Sequence, residues 1–347
     1  MADNLGMVAH LAGQSLRLGW FFALNRLVEQ RSAAASPGPG APVKPSRPVP
    51  TLRTLLTDVG QLLLSDALAV RDGVYPPMED EAAALLRHLG GVRKMLAELP
   101  QAIDRRKSRN ASTAKAEPAA ADLPDYYAQD FHFQNGGYLT DESARLYDIQ
   151  VETLFMGAAA PMRRAALRPI AEFMRGRDQR RMTLVDVACG TGRLLRQVRL
   201  CYPALKLTGI DLSRPYLDEA RRHLRGLRAA DLIEASAEIM PLADASADIV
   251  TSVFLFHELP PAVRRQVTSE IARVLKPGGL FVFLDSLQMG DRPAWDGLLE
   301  AFPVRFHEPY YRHYATEDLD RLFADCGLIP HLTTTAFLSK LIVCRKG

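Results

Sequence analysis

From residue 183 onwards, short apolar segments alternate with amphipathic ones, and this alternation limits the fold more than any other feature of the sequence. The apolar segments are TLVDVA, KLTGID, DLIEAS, ADIVTSVFLF and GLFVFLDS, and helices are predicted to start near Arg193, Arg214 and Pro261. Strands that alternate with helices form a parallel sheet that is covered on both faces. HLTTTAF and KLIVCRK lie close together near the end and predict a terminal hairpin. We therefore expect an α/β fold.

The first predicted strand ends in a glycine-containing loop, residues 188–192, directly before the first predicted helix. Backbone N–H groups at a helix N-terminus favour an anionic group, and Gly190 and Gly192 let the backbone turn sharply and approach a ligand. Asp211 ends the next strand, about 20 residues further on, where a carboxylate can accept hydrogen bonds from both hydroxyls of a ribose. Loop and acid together predict a cofactor that contains adenosine.

Two nucleotide-binding motifs do not fit this loop. The dinucleotide fingerprint needs a small third residue so that helix and strand pack closely under a pyrophosphate, and this place is held by Leu195. The Lys-Ser/Thr pair of nucleoside-triphosphate loops is also missing. The sequence therefore argues against NAD, FAD and nucleoside triphosphates.

Four segments carry a resemblance to a known family: LVDVACGTG, GIDLS, ASAEIMPLADASADIVTSVFLFHEL and VLKPGGLFVFLD. In this order and spacing they resemble the class I S-adenosylmethionine-dependent methyltransferases, especially the subgroup of the ubiquinone and menaquinone C-methyltransferases. The resemblance covers roughly residues 140 to 345. It implies a Rossmann-like, mostly parallel seven-stranded sheet with a terminal antiparallel hairpin. It also implies S-adenosyl-L-methionine as cofactor and a small-molecule acceptor that is aromatic, quinone-like or lipophilic.

The resemblance also assigns roles to the residues that match the family's motifs. Asp186 and the loop would surround the methionine part of the cofactor, Asp211 would bind the ribose and Leu212 would flank the adenine. Ala188 stands where the family usually has its first glycine, and Ser236 stands where many relatives have Asp or Asn. The residues predicted to bind the cofactor are Asp186, Ala188, Cys189, Gly190, Thr191, Gly192, Asp211, Leu212, Ser236, Ala237, Glu238 and Phe254.

Methyl transfer is an in-line displacement, so the enzyme mainly aligns the acceptor and, for acidic acceptors, removes a proton. His257 and Glu258 directly follow the fourth strand, and an imidazole titrates near neutral pH. Tyr311 and His313 belong to the aromatic segment FHEPYYRHYATEDL, which forms part of the acceptor pocket in related enzymes. We expect these four residues to be catalytic. The alternatives are that His257 caps a turn and that the aromatic segment only packs on the sheet.

Two further features have open interpretations. Tyr126, Tyr127, His132 and Tyr138 lie in a segment that either covers the cofactor and acceptor, as in relatives, or only seals the sheet. Cys189 stands at a helix N-terminus, which can lower a thiol pKa. Since the loop already explains its position, we interpret Cys189 as unreactive.

The residues before 125 predict additional parts. We expect an apolar helix in 1–31, a Pro/Gly/Ala-rich linker at 32–50, a helical hairpin at 51–103, a second linker at 104–124 and a methyltransferase domain with a cover segment at 125–347. Residues 5–28 lie on a membrane surface, pack on a protein partner or a second copy, or dock on their own catalytic domain. A protein partner or oligomer is favoured, because this segment has few of the basic residues that line the polar face of membrane-binding helices.

Composition excludes several classes of protein. A net charge of +3 gives no basic field for a nucleic acid. The four cysteines lie far apart, so neither a metal site nor a disulfide framework is predicted, and a cytoplasmic location is expected. The alternative functions are methylation of RNA or protein and a non-catalytic, cofactor-binding scaffold.

Overall fold

The computed structural model describes residues 3–34, 44–77 and 80–347, and the chain divides into two compact units. The first unit comprises residues 1–161 with 300–308, and the second comprises residues 162–299 with 309–347. The domain start proposed at residue 125 falls inside the first unit, so the boundaries given above stay a prediction. Within the described residues, no helix combines the length and apolar character that crossing a bilayer requires.

Twelve helices are numbered here along the described part of the chain. They are α1 (Asn4–Ala34), α2 (Leu52–Arg71), α3 (Asp80–Ser108), α4 (Asp141–Leu154), α5 (Ala159–Arg164), α6 (Leu167–Met174), α7 (Arg193–Cys201), α8 (Arg214–His223), α9 (Pro261–Val274), α10 (Asp296–Phe306), α11 (Tyr311–Tyr314) and α12 (Leu319–Asp325). The helices expected near Arg193, Arg214 and Pro261 begin at these residues. Local chemistry explains two of these starts, since the Ser213 hydroxyl caps α8 and a proline opens α9.

The first unit has a helical core formed by α1, α3 and α4. Phe21 and Leu24 of α1 pack with Met95 of α3 and with Leu146 and Ile149 of α4. Since these side chains are nearly or fully buried, the helices of the unit share one apolar core.

The structure describes part of the first predicted linker and all of the second. Residues 35–43 of the first lie outside the described part of the chain, but the carboxylate of Glu300 accepts hydrogen bonds from the backbone N–H groups of Ser46 (2.7 Å) and Arg47 (3.2 Å). The second linker begins in the last turn of α3 and continues in short 3-10 turns. Asp130, which is fully buried, accepts hydrogen bonds from the backbone of Thr113 and Ala114 in this segment.

The second unit is built on a seven-stranded sheet. Its strands are β1 (Thr183–Val187), β2 (Lys206–Asp211), β3 (Asp231–Glu234), β4 (Ala247–Val253), β5 (Leu275–Ser286), β6 (Leu328–Ala336) and β7 (Ser339–Lys346). The order across the sheet is β3-β2-β1-β4-β5-β7-β6. Strands β1 to β5 pair in parallel, whereas β7 is antiparallel to both β5 and β6. The predicted Rossmann-like sheet with its terminal hairpin is confirmed.

The core on one side of this sheet is aromatic. Phe281 and Phe283 of β5 pack with Phe323 of α12, with ring centroids 5.4 and 5.2 Å apart. Phe256, which follows β4, meets Phe283 edge to face at 5.1 Å. This buried cluster fixes the chain directly after β4, where a candidate catalytic residue lies.

A glycine in the middle of β2 makes room for the residues that follow β1. A Cβ atom built on Gly209 would lie 2.7 Å from the sulfur of Cys189 and 2.7 Å from a methyl group of Leu195. Both distances are much shorter than van der Waals contact. The bulky Leu195 therefore fits against the sheet because its neighbour in β2 has no side chain.

We expect Gly209→Ala to lower the free energy of unfolding by about 1–3 kcal/mol, the usual cost of overpacking a core. Urea denaturation followed by circular dichroism measures this change. The matched control is Gly90→Ala in α3, where a Cβ atom meets nothing within 4 Å. This control should be neutral or slightly stabilising, because alanine is the better helix former. Equal stability of the two variants would contradict the packing described here.

Candidate active site

The loop after β1 adopts a backbone conformation that its glycines permit. Ala188, Gly190 and Gly192 have φ angles of 55, 53 and 74°, all in the left-handed region. A Cβ atom on Gly192 would lie 2.9 Å from the Cβ of Ala220, so glycine also lets the start of α7 pack against α8. Gly190, in contrast, has nothing within 4 Å of its Cβ position, so open space lies in front of the loop. The loop is thus packed at its base and accessible at Gly190.

Asp211 at the end of β2 is bonded directly to this loop. Its Oδ2 accepts a hydrogen bond from the backbone N–H of Gly190 at 2.7 Å, and its Oδ1 accepts one from the N–H of Ser213 at 2.8 Å. Burial raises the pKa of Asp211 to about 6, against the effect of these backbone hydrogen bonds, which lower it. The two sequence signals for a cofactor, loop and acid, therefore form one structural unit.

Asp186 lies inside β1 and is almost fully buried. The hydroxyl of Thr251, on the neighbouring strand β4, donates a hydrogen bond to its Oδ1 at 2.6 Å. Burial raises the pKa of Asp186 to about 7, while the Thr251 hydrogen bond and the charge of Arg163 oppose the shift. Sequence reasoning did not identify Thr251. Its position in register with Asp186 across the two strands is the signal that was available.

Cys189 is buried, and its thiol is not activated. Burial raises the pKa of the Cys189 thiol well above its usual range, and the nearby Asp211 and Asp186 raise it further. Reactive cysteines need a lowered pKa and solvent access. The geometry therefore supports the interpretation of Cys189 as an unreactive residue of the loop.

The segment after β3 is organised by its own side chains. The Ser236 hydroxyl donates to Oε2 of Glu238 at 2.9 Å and accepts a hydrogen bond from the Glu238 backbone N–H at 3.1 Å. Ser236 therefore positions the Glu238 carboxylate. Ala237 lies between them, and Leu212 follows Asp211 as a partly exposed residue. Contact of Ser236, Ala237, Glu238 and Leu212 with an adenine ring remains a prediction.

His257 forms a buried pair with a carboxylate that sequence reasoning did not assign a role. Its Nδ1 lies 2.5 Å from Oδ1 of Asp285, which ends the neighbouring strand β5 and is fully buried. Asp285 also accepts hydrogen bonds from the backbone N–H groups of Phe256 (2.7 Å) and Ser286 (2.6 Å). A carboxylate held in this way fixes the orientation of the imidazole and the position of the proton on Nδ1.

Other predicted site residues surround this pair. The Nε2 atom of His257 lies 3.9 Å from the carboxylate of Glu258, and Phe254, which has a φ of 59°, belongs to the same turn. The Tyr311 ring lies 6.1 Å from the His257 ring, and its hydroxyl lies 2.7 Å from the Ser286 hydroxyl. The structure thus brings Tyr311 together with His257.

His313 has different neighbours from those of His257. It is exposed, and its Nδ1 lies 3.2 Å from a guanidinium nitrogen of Arg264. Arg264 is buried and forms an ion pair with Glu317. These contacts place His313 near the end of α11, beside the ion pair of Arg264 and Glu317. Tyr311 to Tyr314 form a short helix.

The predicted cover residues lie in the first unit. Tyr138 stacks on Phe131 with centroids 5.6 Å apart and lies 6.0 Å from Tyr127. His132 contacts Glu308 at 3.3 Å, and Tyr126 accepts a hydrogen bond at its carbonyl from Gln129. These contacts order the segment internally. Its role as a cover stays a prediction.

Comparison with known proteins finds a family that matches part of the second unit. Residues 184–279 match a family described as a methyltransferase domain. The ubiquinone/menaquinone biosynthesis C-methyltransferase of Desulfotalea psychrophila is 32% identical over 146 residues, which are 42% of this chain and 56% of that protein. The demethylmenaquinone methyltransferase of Desulfitobacterium hafniense is 27% identical over 209 residues. The match covers 53% of this chain and 78% of that protein.

A solved structure shares the fold. Human N-acetylserotonin methyltransferase has a TM-score of 0.51 at 15% identity, with 74% of this chain and 70% of that protein covered. The chain spans about half the length of the first curated relatives that it matches. Residues 184–279 therefore match a methyltransferase domain, and the chain is similar in sequence to the ubiquinone/menaquinone C-methyltransferases.

Proposed function

We propose that this protein transfers a methyl group from S-adenosyl-L-methionine to a small-molecule acceptor, with His257 as the general base. The observation that carries the proposal is the hydrogen bond from the Gly190 N–H to Asp211. This bond joins the glycine-containing loop to the carboxylate that is expected to bind the ribose, and both lie within the residues that match a methyltransferase domain. The four free cysteines fit a reducing compartment, so we place the protein in the cytoplasm.

The residues at the carboxyl ends of β1 and β2 suit the proposed cofactor. Open space in front of Gly190 admits a ligand close to the backbone of the loop. Asp186 would attract the ammonium group, and Asp211 would accept hydrogen bonds from the ribose hydroxyls. When bound, the sulfonium supplies an electrophilic methyl group for an in-line displacement.

The residues after β4 and β5 suit removal of a proton. Asp285 orients His257 through Nδ1, so that Nε2 is the atom that would take a proton from the acceptor. Tyr311 contributes an aromatic surface beside the imidazole. This arrangement fits an acceptor with an acidic hydroxyl group, because removal of its proton would make the oxygen or the neighbouring ring carbon a better nucleophile. An aromatic or quinone-like compound has these properties, which agrees with the quinone-related names of the relatives. His313 takes no part in this mechanism.

We expect the protein to bind S-adenosylhomocysteine, and Asp211→Ala to weaken binding at least 100-fold, because two charge-assisted hydrogen bonds of about 1.5–3 kcal/mol each are lost. Isothermal titration calorimetry measures both affinities. Asp231→Ala, an exposed carboxylate at the start of β3, is the matched control and should bind normally. Absence of binding by the unmodified protein would refute the proposed cofactor.

Binding should weaken in acid. Asp186 and Asp211 have pKa values raised to about 7 and about 6, so both lose their charge as the pH falls through this range. Because both are expected to bind as carboxylates, affinity for S-adenosylhomocysteine should be highest above pH 7 and fall by up to tenfold per pH unit for each group below its pKa. Titrations between pH 5 and 8.5 measure this slope. Asp211→Asn should remove the step near pH 6, and a pH-independent affinity would contradict the assignment.

Methyl transfer itself can be tested with methyl-labelled S-adenosylmethionine and a small-molecule cell extract. We expect label in an extracted product, and His257→Ala should lower the rate about 10²–10⁴-fold, the usual contribution of a general base. S-adenosylhomocysteine affinity of this variant should be unchanged. Asp285→Asn should lower the rate and shift its pH profile. A His257→Ala rate equal to that of the unmodified protein would show that another residue, or none, takes the proton.

A further inference from the structure

Helix α1 buries three polar side chains beside the apolar Phe21 and Leu24, while five large apolar side chains of the same helix stay exposed. His10, Gln14 and Arg17 on its inner face are buried. The large apolar residues of the outer face are exposed by 36 to 83% of their surface, and they are Leu5, Val8, Leu16, Trp20 and Leu27. A helix with apolar residues on its free face and a packed opposite face is typical of an element that is buried on both sides.

The inner contacts show that α1 cannot simply turn its leucines inward. His10 Nε2 lies 2.7 Å from the carboxylate of Asp66 in α2, and the hydroxyl of Tyr75 donates to the same carboxylate at 2.5 Å. Arg17 forms an ion pair with Glu152 of α4 at 2.7 Å. Rotating α1 would break these buried pairs, which is strongly unfavourable. The outer apolar face is therefore fixed by the structure of the unit.

The outer half of α1 also contains two glycines that the chain itself does not explain. A Cβ atom on Gly13 or Gly19 would meet nothing within 4 Å, and neither residue has a positive φ. Glycine is the least favourable helix residue apart from proline. A glycine at such a position allows another backbone to approach closely. Both glycines therefore leave room for a second helix to approach this side of α1.

Four of the five exposed apolar residues fit a symmetric arrangement around Leu16, whereas the position that mirrors Val8 is the buried Leu24. Leu5 and Leu27 lie eleven residues on either side of it, and Ala9 and Ala23 lie seven. Ala12 and Trp20 lie four residues away, and Gly13 and Gly19 three. In a two-fold contact, residue i of one copy meets residue j of the other, and j meets i. Two antiparallel copies of α1 would thus pair leucine with leucine, alanine with alanine and the large Trp20 with the small Ala12.

We propose that two copies of this protein associate through the outer face of α1, antiparallel, with the two-fold axis at Leu16. With on the order of 200 Å² for a large apolar residue, the five exposed residues of α1 contribute roughly 550 Å² of surface per copy. Two copies of α1 thus offer roughly 1,100 Å² in total, above the about 1,000 Å² that a specific interface should bury.

Charge also favours a second copy over a membrane. In the antiparallel pair, Arg26 at the edge of the outer face lies near the first turn of the other α1, where Asp3 caps the helix. A helix on an anionic membrane carries Lys and Arg along its polar face. Helix α1 holds three arginines, and one of them, Arg17, is buried in the ion pair with Glu152.

The test measures the mass of the full-length protein by sedimentation or multi-angle light scattering. We expect a dimer for the unmodified protein and a monomer for Leu16→Glu, which places two like charges against each other at the axis. The dimer dissociation constant should rise at least about 100-fold, since such a like-charge contact is strongly unfavourable. Ile329→Glu, an equally charged change at an exposed residue of the second unit, is the control and should stay dimeric.

A charge exchange tests the antiparallel register. Leu5→Glu alone and Leu27→Lys alone should each weaken the dimer. The double variant should restore it, because the carboxylate introduced at position 5 then faces the ammonium group introduced at position 27 of the other copy. Failure of the double variant to recover would overturn the register. A monomeric unmodified protein would overturn the proposal, and sedimentation with vesicles of phosphatidylcholine and phosphatidylglycerol would then assign the face to a membrane. Since the readout is mass, neither result depends on the proposed methyl transfer.

Discussion

The hydrogen bond from the Gly190 N–H to Asp211 connects the two strands on which the site is built. It forms because β1 and β2 pair in parallel, which places the ends of both strands at one edge of the sheet. The same contact gives Asp211 a backbone N–H donor, which partly offsets the loss of hydration that raises its pKa. It joins the loop to the end of β2, and Cys189 lies in this loop with its sulfur facing Gly209 of β2.

The local sequence predicted the strands, the loop and Asp211, because each rests on residues adjacent in the chain or on a known strand spacing. Two contacts were not predictable in this way. Asp285 meets His257, and Thr251 meets Asp186, only because β4 lies between β1 and β5 in the sheet. The order of the strands is set by the packing of the whole unit. The sequence therefore predicts which residues lie at the strand ends but not which of them contact each other across neighbouring strands.

At Leu195 the sequence supported an inference about the ligand but did not show how the side chain is packed. A large residue at this place argues against a pyrophosphate-binding loop, but sequence alone does not show how the sheet accommodates it. The missing side chain of Gly209 on the neighbouring strand provides the space. In the first unit, the sequence predicted that α1 is a helix but not which of its faces is buried. Its buried ion pairs come from α2 and α4, which no local signal connects to it.

The buried thiol of Cys189 has a consequence for experiment. A sulfur with a raised pKa, enclosed between a loop and the sheet, reacts with alkylating reagents only when that loop opens. The rate of its modification therefore reports the local unfolding of the loop rather than the chemistry of the thiol. Any molecule that holds the loop closed should slow the modification in proportion to its occupancy. The protein thus carries an intrinsic reporter of the order of the loop after β1.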